Sequence, residues 1–196
     1  MGTVAVNQQA TDLDLIAASS AGDQSAFEQL FRRYHARIYA LCWRLCGNDV
    51  HWAEDVLQDT FVQAWRNLGE FRGESALTTW LHRLAVNIVL AERRRGSARL
   101  RQLSDPMANE DVAVAAGETH ADHDLEAAIT SLPPRARLVL VLHELHGYSH
   151  VEIASMSGMA AGTSRAQLNR ARNLMQQHLQ QDLAVNNQGQ EVNTHV

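Results

Sequence analysis

From Asp23 to Gly47 the apolar residues return every three or four positions: Phe27, Leu30, Phe31, Tyr34, Ile38, Leu41, Cys42 and Leu45. That spacing closes onto one face of a 3.6-residue repeat, so it predicts a long amphipathic helix with Asp23 as its N-cap and Gly47 as its stop. The same period recurs on both sides. A shorter helix carries Leu13, Ile16 and Ala17. Another opens near Asn48 or Asp49 and uses Val50, Ala53, Val56, Leu57, Phe61, Ala64 and Leu68. Gly69 and Gly73 then break the pattern. A fourth helix runs from about Ser75 through Leu77, Trp80, Leu81, Leu84, Ile88 and Val89 into a run of arginines. Strand-like alternation of useful length occurs nowhere, which makes the fold class all-α.

The periodicity lapses between Gln102 and about Asp122, a polar, alanine-rich stretch with Pro106 and Gly117 as breakers. It reads as a flexible acidic linker. Charge marks the same division. Residues 1–101 hold 12 Arg and 11 acids, 102–124 hold six acids and no base, and 125–180 hold five Arg and three acids. The net charge of −5 thus comes from the linker and the tail, between and beyond two nearly neutral blocks. The second block restarts with Leu125, Ala128, Ile129 and Leu132. Pro133-Pro134 ends one helix and begins the next, which carries Leu138, Leu140, Val141, Leu142 and Leu145 to a close at Gly147. Ser149 and Glu152 have capping-box spacing. A short helix to about Met156, a turn at Ser157-Gly158 and a long helix through Leu179 follow. Two helices about a tight glycine turn are a helix-turn-helix signature. The expected organisation is a disordered N-terminus (1–11), a helical domain (12–101), the linker (102–124), a helix-turn-helix domain (125–180) and a polar tail (181–196).

Several function classes fall away on composition. No stretch approaches the ~18 to 20 apolar residues of a membrane span, so membrane insertion is not expected. Residues 1–10 have neither the basic start nor the apolar centre of a secretory signal. Two cysteines make no disulfide framework, and a reducing, cytoplasmic setting fits. No nucleotide-binding glycine loop or nucleophile elbow is present, so no catalytic residue and no cofactor are expected. His143, His146 and His150 with Glu144, and Cys42 with Cys46, have spacings compatible with metal ligation. The first set straddles the helix stop at Gly147 and the second falls on an apolar stripe, so no metal site is assigned.

Nucleic-acid chemistry fares better. Arg165, Gln167, Asn169, Arg170 and Arg172 follow the turn, and Arg pairs bidentately with guanine as Gln and Asn do with adenine. Such a set can read a major groove, although a helical hairpin with a solvated face has the same periodicity. Arg93, Arg94 and Arg95, with Arg99 and Arg101, can contact phosphates or simply complement a helix C-terminus. The stretch Glu70 to Trp80 mixes aromatics with short polar groups in a way that suits unstacked bases, or places Phe71 and Trp80 in a core. Glu54, Asp55, Gln58 and Asp59 make an acidic helix face suited to protein docking, or to solvent.

Three segments resemble the extracytoplasmic-function (ECF) group of bacterial RNA polymerase sigma factors. Ala53 to Trp65 is similar to that family's polymerase-docking helix. Phe71-Arg72-Gly73-Glu74-Ser75 with Thr79 to Asn87 is similar to its promoter-melting, −10-reading segment. Leu132-Pro133-Pro134-Arg135, Gly147-Tyr148-Ser149, Glu152-Ile153-Ala154 and Gly162 to Arg172 are similar to its −35-reading domain. The resemblance covers residues 12 to 180 in order. It implies that Asp55, Gln58 and Asp59 bind the clamp of the largest core subunit, and that the second domain meets the flap of the second largest. It implies −10 contacts from Phe71, Arg72, Gly73, Glu74, Ser75, Trp80, Arg83 and Asn87; Arg93, Arg94 and Arg95 are expected, from their charge, to contact phosphates beside them. It places Thr163, Arg165, Ala166, Gln167, Asn169 and Arg170 on the −35 element, and it adds an anti-sigma partner. The chain departs from the family pattern at Ala160, where a serine-type cap worth ~1 kcal/mol is usual. It departs also at Ser164 (usually a buried aliphatic), Gln167 (usually basic) and Asn169 (usually histidine or aromatic). A stand-alone helix-turn-helix regulator and a helical metal-binding protein are the rival expectations.

Overall fold

The computed structural model describes the backbone of residues 10–103 and 122–191 and the side chains of 10–97 and 125–180. The first domain holds α1 (Asp12–Ser20), α2 (Gln24–Cys46), α3 (Val50–Asn67) and α4 (Leu77–Leu103), with a 3-10 turn at Leu68–Glu70. Each start is set locally. Thr11 and Asp14 form a capping box on α1, the Asp23 carboxylate accepts from the Ser25 and Ala26 amides, and Asp49 accepts from Trp52. These bonds satisfy amides that a helix N-terminus leaves without partners. The predicted stripe of α2 is the core: Ile38, Leu41 and Cys42 are fully buried, against Ala53 and Val56 of α3 and Ala85, Val86 and Val89 of α4. Burial pushes the Cys42 thiol up to about 12 and raises that of Cys46 too. Both sulfurs therefore stay protonated and serve as core atoms. α4 starts at Leu77 rather than about Ser75 and continues through the arginine run.

The second domain holds α5 (Asp122–Ser131), α6 (Pro134–Leu140) with a π-helical turn at Val141–Leu145, α7 (His150–Ser157) and α8 (Ala161–Glu191). Pro134 occupies the first turn of α6, where a missing amide costs nothing. Ser149 and Glu152 form the predicted capping box on α7, and Gly158 in the left-handed region ends it. α8 outruns its expected end near Leu179 and takes in most of the expected tail as helix. α5 begins at Asp122, inside the expected linker. Linker residues 104–121, together with 1–9 and 192–196, lie outside the described residues. No strand occurs among the described residues.

The two domains touch. α2 meets α5, α6 and the π turn, while α4 meets α7. Arg44 donates to the Glu126 carboxylate at 2.6 Å, and His82 Nδ1 lies 2.8 Å from the Tyr148 hydroxyl. Gly47 is required at this seam for two reasons. Its φ of 77° ends α2 in the left-handed region, and a Cβ there would collide with the buried Arg137 guanidinium.

Candidate nucleic-acid interface

On α4, Arg83, Asn87 and Arg94 are exposed and spaced by four and seven residues, so they form one stripe. At its head Phe71 and Trp80 stand edge-to-face with ring centroids 5.6 Å apart, both half-buried against the core. They are thus neither free stacking platforms nor simple core residues. Arg72, Gly73 and Glu74 lie exposed in the preceding loop, where Gly73 has a φ of 71°, and Ser75 is half-buried. On α3, Asp55, Gln58 and Asp59 are all exposed. They sit outside the apolar stripe of Ala53, Val56 and Thr60, which the helical period turns inward. Asp59, Gln63, Asn87, Arg94 and Arg95 line one hollow of about 310 Å³ between α3 and α4. The acidic face of α3 and the α4 stripe therefore share a wall, which linear spacing did not reveal.

Arg93 departs from the phosphate-facing expectation. Its Nη2 donates to the Leu45 carbonyl at 2.8 Å, and its guanidinium lies 5.0 Å from the Trp52 ring centroid. The α2 carbonyl end and an aromatic face hold this charge inside the domain, while Arg94 and Arg95 stay exposed. The reason is rotational: position 93 continues the buried side of α4 through His82, Val86 and Val89, and 94 and 95 turn away from it.

In the second domain Thr163, Arg165, Ala166, Asn169 and Arg170 lie exposed along α8, opposite the buried Ser164, Leu168 and Ala171. Gln167 does not join them. It is half-buried, and its Oε1 is shut from solvent without a hydrogen-bond partner, because its position leans toward the inner face. Arg172 is occupied by Glu144 of the π turn, with Nη2 and Oε1 2.5 Å apart. No side chain caps α8 at Ala160; the Ala160 carbonyl simply accepts from the Ser164 amide.

The histidines diverge. His143 Nδ1 reaches the Tyr148 carbonyl at 2.8 Å, and its ring stacks on His150 with centroids 4.7 Å apart. His150 Nδ1 lies 2.9 Å from the fully buried Ser164 hydroxyl. That bond gives the unusual buried serine its partner, and sequence spacing gave no sign of it. Burial, then His143, Arg165 and Arg172, lower the pKa of His150, so it stays neutral near pH 7. His146 turns the other way, onto His82. The π turn and the stop at Gly147 separate residues that an unbroken α-helix would have kept on one face. Among the described residues no group of three or more His, Cys, Asp or Glu converges as a metal site.

Comparison with known proteins points one way. The Sigma-70 region 2 family matches residues 30–99, and the Sigma-70 region 4 family matches 122–175. The ECF RNA polymerase sigma factor SigM of Mycobacterium tuberculosis is 36% identical over 169 residues, spanning 83% of this chain and 81% of that one. The ECF sigma-E factor of Escherichia coli is 32% identical over 198 residues, spanning 89% and 97%. A solved complex of the sigma factor RpoE with the anti-sigma factor NepR from Bartonella quintana superposes with a TM-score of 0.60. It shares 28% identity and covers 79% of this chain and 96% of that one.

Proposed function

The chain belongs to the extracytoplasmic-function group of sigma factors, and from that premise we propose how its surfaces divide the work. It is an alternative sigma factor that binds core RNA polymerase, recognises promoter DNA and directs initiation under the control of an anti-sigma partner. It is not an enzyme; polymerase does the chemistry. The first domain, near 12–101, docks through Asp55, Gln58 and Asp59 on the clamp of the largest subunit. An exposed acidic-polar face is suited to a basic partner there, where complementary charge speeds encounter and sets register.

The α4 stripe of Arg83 and Asn87, with the loop Phe71 to Ser75 and Trp80, takes the −10 strand. An unstacked base there finds polar groups and two half-buried rings, which offset a few kcal/mol of unstacking. Arg94 and Arg95 meet phosphates beside it. The second domain, near 125–180, sets Thr163, Arg165, Ala166, Asn169 and Arg170 in the −35 major groove and rests on the flap of the second-largest subunit. Gln167, turned inward, supports α8 more than it reads bases. Such a protein works in the cytoplasm, where polymerase is. Among the described residues no helix is long and apolar enough to cross a membrane.

One observation supports this reading: exposed basic and polar faces on α4 and α8 coexist in one chain with an exposed acidic face on α3. A stand-alone regulator needs only the helix-turn-helix. Run-off transcription with purified core polymerase, on the chain's own upstream region, tests it. A discrete transcript that depends on the protein is expected. A chain that neither binds core in gel filtration nor supports a transcript would return the assignment to the stand-alone regulator.

A further inference from the structure

The seam between the domains joins their apolar residues in one buried cluster, and it also encloses titratable groups. His82 of α4 is 2% exposed, and its Nδ1 is engaged by the Tyr148 hydroxyl. Its ring stands edge-on to His146, with centroids 4.7 Å apart. The Nε2 atoms of both rings are buried without a hydrogen-bond partner. Arg37 acts on both imidazoles from α2, and Arg44, also of α2, acts on His146. Around Tyr148 stand Thr79 and Arg83 of α4 and Glu152 of α7. A proton added to either ring would face guanidinium groups and the other imidazole. Alongside, Arg44 spans the seam to Glu126, whose Oε2 is also buried without a partner.

We infer that this face of α2 and α4 is a docking surface for the chain's own second domain, one that holds the free protein closed and releases it when the imidazole pair takes up a proton. The need for release rests on the promoter assignment and follows from reach. Elements about 25 base pairs apart lie roughly 85 Å apart on B-form DNA. A compact chain of this length has a radius of gyration of about 16 Å. The closed arrangement cannot place α4 and α8 on both elements, so the seam must part before both are read.

The pH dependence has a definite sign. Burial, then His146 and Arg37, push His82 down to about 3, while burial, Arg44 and Arg37 lower His146. Once the domains part, both rings return toward the ordinary value of about 6.5. Depressed values in the closed form mean that its stability is fully present above about pH 6.5 and is lost as the pH falls below it. Polymerase, or the anti-sigma partner, then acts on an equilibrium already biased by proton activity.

Small-angle X-ray scattering of the full chain, with circular dichroism on the same samples, tests the inference. At about pH 8 the free protein should be compact; at about pH 5.5 its radius of gyration should rise by roughly a quarter or more with helicity unchanged, as protonation of an interface histidine pair requires. The double variant His82→Gln/His146→Gln keeps hydrogen-bonding capacity without titrating, and should stay compact at both values. Glu126→Arg should open the chain at about pH 8, and adding Arg44→Glu should close it again. A wild-type radius that ignores pH, a glutamine variant that expands on acidification, or a closed Glu126→Arg would each overturn the inference. Core binding measured on these samples keeps the two readings apart. A chain that binds core and never expands loses only the latch, and one that expands but never binds core loses only the sigma assignment.

Discussion

The two domains seat α4 and α8 by different means. In the first, α4 lies on a wide apolar face of Leu77, Leu81, Ala85, Val86 and Val89, against α2 and α3, whose N-termini are both capped. In the second, the inner face of α8 offers Ser164, Leu168 and Ala171 with the half-buried Leu174 and Met175, and Ala160 before its start carries no side-chain acceptor. The His150–Ser164 bond and the Arg172–Glu144 pair add polar ties to that narrower apolar face. Apolar burial is spread over many contacts and survives the loss of one. A polar tie, with a net value of about 1 kcal/mol, is more easily tuned and more easily lost.

That contrast can be broken most forcefully from the first domain. Leu41→Ala removes a fully buried side chain and should cost about 2–5 kcal/mol, read as a lower denaturant midpoint of the full chain. His150→Ala leaves the Ser164 hydroxyl buried and unpaired, and should cost about 1–3 kcal/mol. Adding Ser164→Val should recover most of that loss, since removing both partners is nearly neutral. A single variant with wild-type stability and −35 duplex affinity would show that the bond does not seat the helix. Asp55→Arg should weaken core binding by about tenfold, or ~1.4 kcal/mol, with helicity unchanged. Asn87→Ala should impair promoter opening more than core binding, and equal loss of both would remove it from the −10 strand. Ala160→Ser supplies the missing cap and should add about 1 kcal/mol, sharpening the contrast from the weak side.

What was legible in the sequence was local. Asp23, Gly47, Ser149, Glu152 and Pro134 act on amides and dihedrals within a few residues, so their roles show in the order of residues alone. The apolar period of α2 and the exposed Asp55, Gln58 and Asp59 face were legible for the same reason. Pairings between distant positions were not. Arg44 and Glu126 are 82 residues apart, and His82 and Tyr148 are 66 apart. Nothing near either partner announces the other. The inward turns of Arg93 and Gln167 were missed because each sits at the edge of a stripe, where a small rotation decides between solvent and core. Nor did spacing foretell the π turn, which sends His143 and His146 to opposite sides.

The shared wall between α3 and α4 has a consequence for how the activity is controlled. Asp59, on the proposed docking face, and Asn87, on the stripe proposed for the −10 strand, border the same hollow. Two ligands that meet at one wall do not bind as strangers. If Asn87 holds the strand and Asp59 holds polymerase, as proposed, whatever factor of affinity either ligand adds for the other must be returned, because the free energy of the doubly bound state does not depend on the order of arrival. A substitution in that hollow is therefore a change in a conversation between two partners, and measuring either one alone would miss half of what it does.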